Sequence, residues 1–114
     1  PPKGYFKRLK EILSQYGTLL IADEVQTGFA RTGKMFAIEN FDVVPDIMSV
    51  AKALGNGTPI SAFISTAKIA DTYTKPGAST LGGNPVSSTA GLAVLEYIEE
   101  HHLRENALAR GQQL

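Results

Sequence analysis

An α/β fold, with a mostly parallel sheet flanked by helices, is what this sequence predicts, and three observations predict it. Helix-type and strand-type patterns alternate at short intervals through its 114 residues, as they do when helices pack on a sheet. Thr18–Ala22 is a short, uncharged run rich in Leu and Ile, which suits a strand covered on both faces. Asn84-Pro85 opens a long helix-type stretch, because Asn is a good N-cap and Pro a good first helical residue.

Taken in order, Tyr5, Phe6, Leu9, Ile12, Leu13 and Tyr16 recur at three- and four-residue steps with Lys and Glu between them. That spacing predicts an amphipathic helix, and Gly17 supplies its stop. Thr18–Ala22 follows as the first strand, with Asp23 at its carboxyl end. The two glycines of TGFARTG mark a loop, Met35–Phe41 a short helix, and Pro45 a break. Asp46–Val50 is the second strand. Beyond the Gly55–Gly57 turn and Pro59, Ile60–Ser65 is the third, and a brief helix is expected over Ala67–Tyr73. Thr74–Gly83 is a polar connection, Pro85 begins a helix running towards Glu100, and another helix starts at Leu103.

The bulk properties narrow the function classes. A chain of this length suits one domain and can bury roughly two-thirds of its surface. Acidic and basic residues balance at 11 each, which argues against a nucleic-acid groove, an anionic membrane surface or an acidic tail, and for a small-molecule partner. Absence of cysteine excludes disulfides, thiolate metal sites and a thiol nucleophile, and fits a reducing compartment. No apolar run approaches the roughly 18 residues of a membrane span, and no secretory signal pattern is present, so the chain reads as soluble. His101 and His102 lack spaced ligand partners, so no metal site is expected. The chain starts without Met and stops at Leu114 within a helical pattern, which reads as a section of a longer protein.

Chemistry concentrates in LLIADEVQTG and DIMSVAKALGNG, whose apolar runs end at Asp23 and Lys52. Ligands of open α/β sheets bind beyond the carboxyl ends of strands, so parallel strands would bring both groups to one crevice. An acid that holds a ring nitrogen protonated and an amine that forms a Schiff base are what pyridoxal phosphate needs. Ala51, Gly55 and Gly57 would let a planar ligand approach the backbone. The bland alternatives are an Asp that caps a turn and a surface Lys. LLIADE also describes the magnesium-binding strand of P-loop hydrolases, but the G-x-x-x-x-G-K-[ST] loop that reading requires is absent.

Three motifs in order, LLIADEVQTGFARTG, PDIMSVAKALGNG and STLGGNPVSSTAGLAVLE, resemble the class III (omega-type) pyridoxal phosphate-dependent aminotransferases of fold type I, and lean towards the alanine-glyoxylate branch. The 29-position step from Asp23 to Lys52 matches that family's pattern. The resemblance implies that Lys52 is the Schiff-base lysine and proton carrier, that Asp23 binds the pyridine nitrogen, that Val25 packs on the ring, and that Gln26 lies near its hydroxyl. It implies that Thr80 reaches the cofactor phosphate of a partner subunit, hence a homodimer with shared active sites. Residues 1–100 would belong to the cofactor-binding large domain and 101–114 to the start of a small domain. The implied reaction moves an amino group from an amino acid or amine to a 2-oxo acid, in the cytoplasm or, in a eukaryote, the mitochondrial matrix. An aminomutase, decarboxylase or phospho-lyase of the same cofactor class, or a non-catalytic self-associating module, are the alternatives. Asn56 stands where many relatives carry Gly, a substitution that a left-handed backbone tolerates.

Overall fold

The apolar stripe of the first segment folds into α1 (Tyr5–Gln15), in a computed structural model that describes all 114 residues. Gly17 stops it at φ +63°, with the Gly17 amide donating to the Ser14 carbonyl (3.3 Å) and the Thr18 amide to the Leu13 carbonyl (2.9 Å). This pair of bonds is a Schellman motif, which satisfies helix-end carbonyls that have no intrahelical donor. Strand β1 (Ile21–Asp23) follows, then a long connection that contains a 3₁₀ helix over Ala37–Phe41. Strand β2 (Ile47–Val50) leads into a second 3₁₀ turn, Lys52–Leu54, and then into β3 (Ala62–Ser65). Helices α2 (Ala67–Ala70), α3 (Pro85–Glu100) and α4 (Leu103–Gly111) complete the chain. Asn84 caps α3 as its residue type requires, its side chain accepting from the Ser87 amide at 3.0 Å.

The three strands form one sheet in the order β1-β2-β3. β1 and β2 are parallel, with Ile21 opposite Ile47 and Asp23 opposite Ser49. β3 is antiparallel to β2, so the sheet is mixed. The 51–61 connection has only the 3₁₀ turn and a tight bend, whereas a parallel return needs a crossover able to span the sheet.

Two apolar clusters hold the layers together. Phe29, Ala30, Val50, Leu54 and Ile98 join the 27–34 loop, β2 and α3, with Met35, Phe36 and Val94 against them. Leu20, Ile38 and Val43 receive Phe6, Leu9 and Leu13 from α1. The expectation that the first strand is covered on both faces is corrected: Leu20 is buried but Ile21 is 60% exposed, because no element of this chain lies over the second face.

Candidate active site

β1 delivers Asp23 to the sheet edge, and the parallel register places Ser49 of β2 beside it. Asp23 Oδ1 accepts from the Ser49 hydroxyl at 3.1 Å and from the Val25 amide at 3.1 Å. The carboxylate is thereby oriented, and its other oxygen makes no hydrogen bond within the chain, which leaves it able to accept one more.

Beyond β2 the backbone turns sharply. Ala51 is fully extended (φ −165°, ψ −148°) and Lys52 adopts φ +45°. A left-handed non-glycine residue costs about 1–2 kcal/mol, and such strain concentrates at functional sites. The turn sends the Lys52 ammonium to Gln26, donating to its Oε1 at 2.8 Å. Asp23, Val25, Gln26 and Lys52 therefore gather at one edge, at the carboxyl ends of two parallel strands.

Of the small residues near Lys52, Gly55 serves its own turn, whereas a Cβ at Gly57 would meet nothing within 4 Å. A Cβ at Gly55 would lie 2.2 Å from the Thr58 carbonyl oxygen and 2.6 Å from Ile60 Cγ2, so Gly55 is required by its own turn. Asn56 adopts φ +44°, the conformation expected of it. Thr80 is exposed in the connection between α2 and α3 and takes no part in the hydrogen bonds of Asp23 or in that between Gln26 and Lys52. Ser79 beside it accepts from the Gly82 amide at 2.8 Å, a turn role. Arg31 is exposed and lines a groove of about 690 Å³ with Asn56, Tyr97 and Asn106, to which neither Asp23 nor Lys52 contributes.

One residue at the site escaped the sequence reading. Glu24 is 2% exposed, yet its carboxylate is fully engaged. It accepts from the Thr27 hydroxyl, from the Ala37 amide at 3.0 Å and from the Ile38 amide at 2.7 Å. The last two are the opening amides of the 3₁₀ helix, which lack intrahelical acceptors. The strand period could have found it, because consecutive residues point to opposite faces, so an exposed Asp23 sends Glu24 inward.

This is an α/β segment that carries an acid and an amine at the carboxyl ends of two parallel strands. The chain belongs to the class III aminotransferase family, whose model matches residues 1–114, and its architecture is that of a segment of the fold-type I large domain. Among curated proteins it is 57% identical over 108 residues to the leucine/methionine racemase of Thermococcus litoralis, covering 94% of this chain and 24% of that protein. It is 49% identical to the ornithine aminotransferase of Oceanobacillus iheyensis, covering 98% and 29%. Among solved structures, the acetylornithine aminotransferase of Elizabethkingia anophelis superposes with a TM-score of 0.93 at 41% identity, over 99% of this chain and 30% of that one. An ornithine aminotransferase of Toxoplasma gondii, with PLP at partial occupancy at its active site, gives 0.93 at 39% identity, over 99% and 27%. The chain thus spans 24–30% of the length of these relatives.

Proposed function

We propose that this chain is the lysine-bearing section of a pyridoxal phosphate-dependent aminotransferase subunit that moves an amino group from an amino acid or amine to a 2-oxo acid. The observation that carries the reading is that Asp23 and Lys52 both come at the carboxyl ends of the parallel pair β1–β2, Asp23 tied to β2 through Ser49 and Lys52 to the turn after β1 through Gln26. The donor set fits the cofactor. Asp23 has an oxygen to spare for the pyridine N–H, Lys52 is an exposed amine at the same edge, and Val25 and Gln26 lie between them in sequence. When bound, pyridoxal phosphate supplies the electron sink for breaking a bond at the amino-bearing carbon.

Around that chemistry each residue has a task. Asp23 holds the ring nitrogen protonated, Ser49 and the Val25 amide keep its carboxylate aimed, Val25 packs on the ring and Gln26 lies near the ring hydroxyl. Lys52 Nζ would anchor the cofactor, then take the proton from the substrate carbon and deliver it to the cofactor, the transfer that moves the amino group. Thr80, away from this hydrogen-bonded group, serves the phosphate bound by a partner subunit, so the unit is a homodimer. Residues 1–100 belong to the large domain and 101–114 to the small one, a division supported by the left-handed break at His102 (φ +50°) between α3 and α4. No helix of the chain is long and apolar enough to cross a membrane.

The 57%-identical racemase supports a second reading in which Lys52 handles the same proton without amino transfer. The test starts with the full-length subunit incubated with pyridoxal phosphate, reduced with borohydride and digested. Mass spectrometry is expected to find the cofactor on Lys52, and label on other lysines instead overturns the assignment. Amino acid plus 2-oxo acid then separates the readings: consumption of the oxo acid marks transfer, and inversion of the amino acid with the oxo acid untouched marks racemisation.

A further inference from the structure

Gln26 and Lys52 are both exposed, and the bond between them is the one side-chain hydrogen bond that either makes. Their meeting is therefore set by the backbone that carries each. For Gln26 that backbone is the Glu24–Gly28 turn, closed by the Gly28 amide donating to the Glu24 carbonyl at 2.9 Å. Glu24 grips this turn on both sides of Gln26, through its own main chain and through the Thr27 hydroxyl. The same carboxylate reaches across to the amides of Ala37 and Ile38, which tie the turn to the far end of the 27–36 loop. That loop holds Phe29 and Ala30 at φ +61° and +75°, a strained pair that persists only where the surroundings over-determine it. A hydrogen bond weakens steeply once a 2.8 Å contact opens by an ångström, so a small slip of the turn separates Gln26 from the amine.

We propose that Glu24 is a positioning residue for the lysine: its buried carboxylate clamps the 24–28 turn to the start of the 37–41 helix, and so holds Gln26 where it receives and orients the Lys52 amine. The inference rests on the cofactor reading given above. Its chemistry is that of a buried carboxylate shared by three donors, so a change at either oxygen leaves a donor without its acceptor.

The test compares Glu24→Gln with the parent in the full-length subunit. The amide retains one acceptor oxygen but turns an NH₂ group towards donors. Ala37→Pro attacks the clamp from the other side, deleting one donor at a first helical position that proline tolerates, after an extended Phe36 (φ −126°, ψ 142°) that suits a pre-proline residue. Three quantities are read: amide exchange at Ala37 and Ile38 without cofactor, the ratio of borohydride-trapped cofactor on Lys52 to that on Lys34 and Lys68, and the visible absorption of the lysine-bound cofactor. Expected for Glu24→Gln are faster exchange at Ile38 and a Lys52 ratio lower by about tenfold, the loss of one hydrogen bond to a charged group. For Ala37→Pro, which leaves two donors, the ratio is expected to fall by about threefold. If Glu24→Gln does not fold, Ala37→Pro alone decides. A Lys52 ratio and absorption equal to the parent's in a folded variant, with faster exchange, would make Glu24 a purely structural clamp and overturn the proposal. A parent that shows no preference for Lys52 overturns the cofactor reading itself, so the two failures are told apart by the unsubstituted protein.

Discussion

At the scale of single residues, the chain places its charges with unequal legibility. Asp23 and Lys52 could be singled out because each ends an apolar run, and an ionisable group in that place needs a reason. Asp46 gave no such signal, since a carboxylate that opens a strand, as the sequence places it, reads as ordinary surface; β2 itself begins one residue later, at Ile47. In the structure it joins three elements: its Oδ2 accepts from the Leu20 amide at 2.7 Å and from the Lys10 ammonium of α1, while its own amide donates to the Leu20 carbonyl at 2.9 Å. The side chain thus extends the β1–β2 pairing beyond its last backbone rung. The Lys10 hydrogen bond, then that of the Leu20 amide, hold the Asp46 carboxyl below its ordinary value against the opposing effect of burial. A carboxylate whose folded-state value is depressed contributes stability that is fully present above its unfolded value and is lost as pH falls through the folded one. Asp46→Asn is therefore expected to lower stability at neutral pH by about 1–2 kcal/mol and to flatten the loss of stability below about pH 4. Acid unfolding followed by circular dichroism checks this, and identical pH profiles for the two proteins would assign the acid sensitivity elsewhere.

Elements were read more securely than their partners. α1, α3 and the Asn84 cap follow from periodicity and local hydrogen-bond chemistry, which act within a few residues and are written in the sequence. The direction of β3 does not, because it depends on whether the 51–61 connection crosses the sheet or doubles back. Burial of Glu24 likewise depends on a helix start 13 positions further along. Gly55 shows how a glycine near a lysine can suggest a ligand when the closer cause is the turn itself. The Lys52 carbonyl accepts from the Gly55 and Asn56 amides at 3.1 and 3.2 Å, and the Gly55 carbonyl from the Thr58 amide at 3.0 Å. Gly55→Ala drives a Cβ into the Thr58 carbonyl, so the turn has to open. The expected cost is about 2–3 kcal/mol, in the range of an overpacked core, with the Lys52 backbone displaced. Thermal unfolding gives the first quantity and cofactor trapping at Lys52 the second; a variant as stable as the parent would mean that the 55–58 turn is loose.

The whole molecule carries more surface than its mass warrants. Its accessible area is 8399 Å², against about 6,100 Å² for a folded monomer of this mass. The Cα radius of gyration is 16.1 Å, where about 13 Å is usual for this length. A slab of 44 × 41 × 18 Å is too thin to bury both faces of a sheet, and Phe63 on β3 is accordingly 79% exposed. The matching relatives are three to four times as long as this chain, and within its 114 residues no element covers the second face of the sheet, so what lies over Ile21 and Phe63 is not legible from this sequence. If further layers of the same subunit cover β3, Phe63 changes character with context. In the isolated 114-residue chain Phe63→Glu removes an exposed ring and adds a charge to an edge strand, so its effect on stability should stay within about 0.5 kcal/mol while self-association falls. In the full-length subunit the same substitution would bury an unpaired carboxylate and cost several kcal/mol. Sedimentation velocity of the short chain and thermal unfolding of the long one measure the two limbs. A small effect in both would place the β3 face in solvent and require the excess area to be covered elsewhere on the slab.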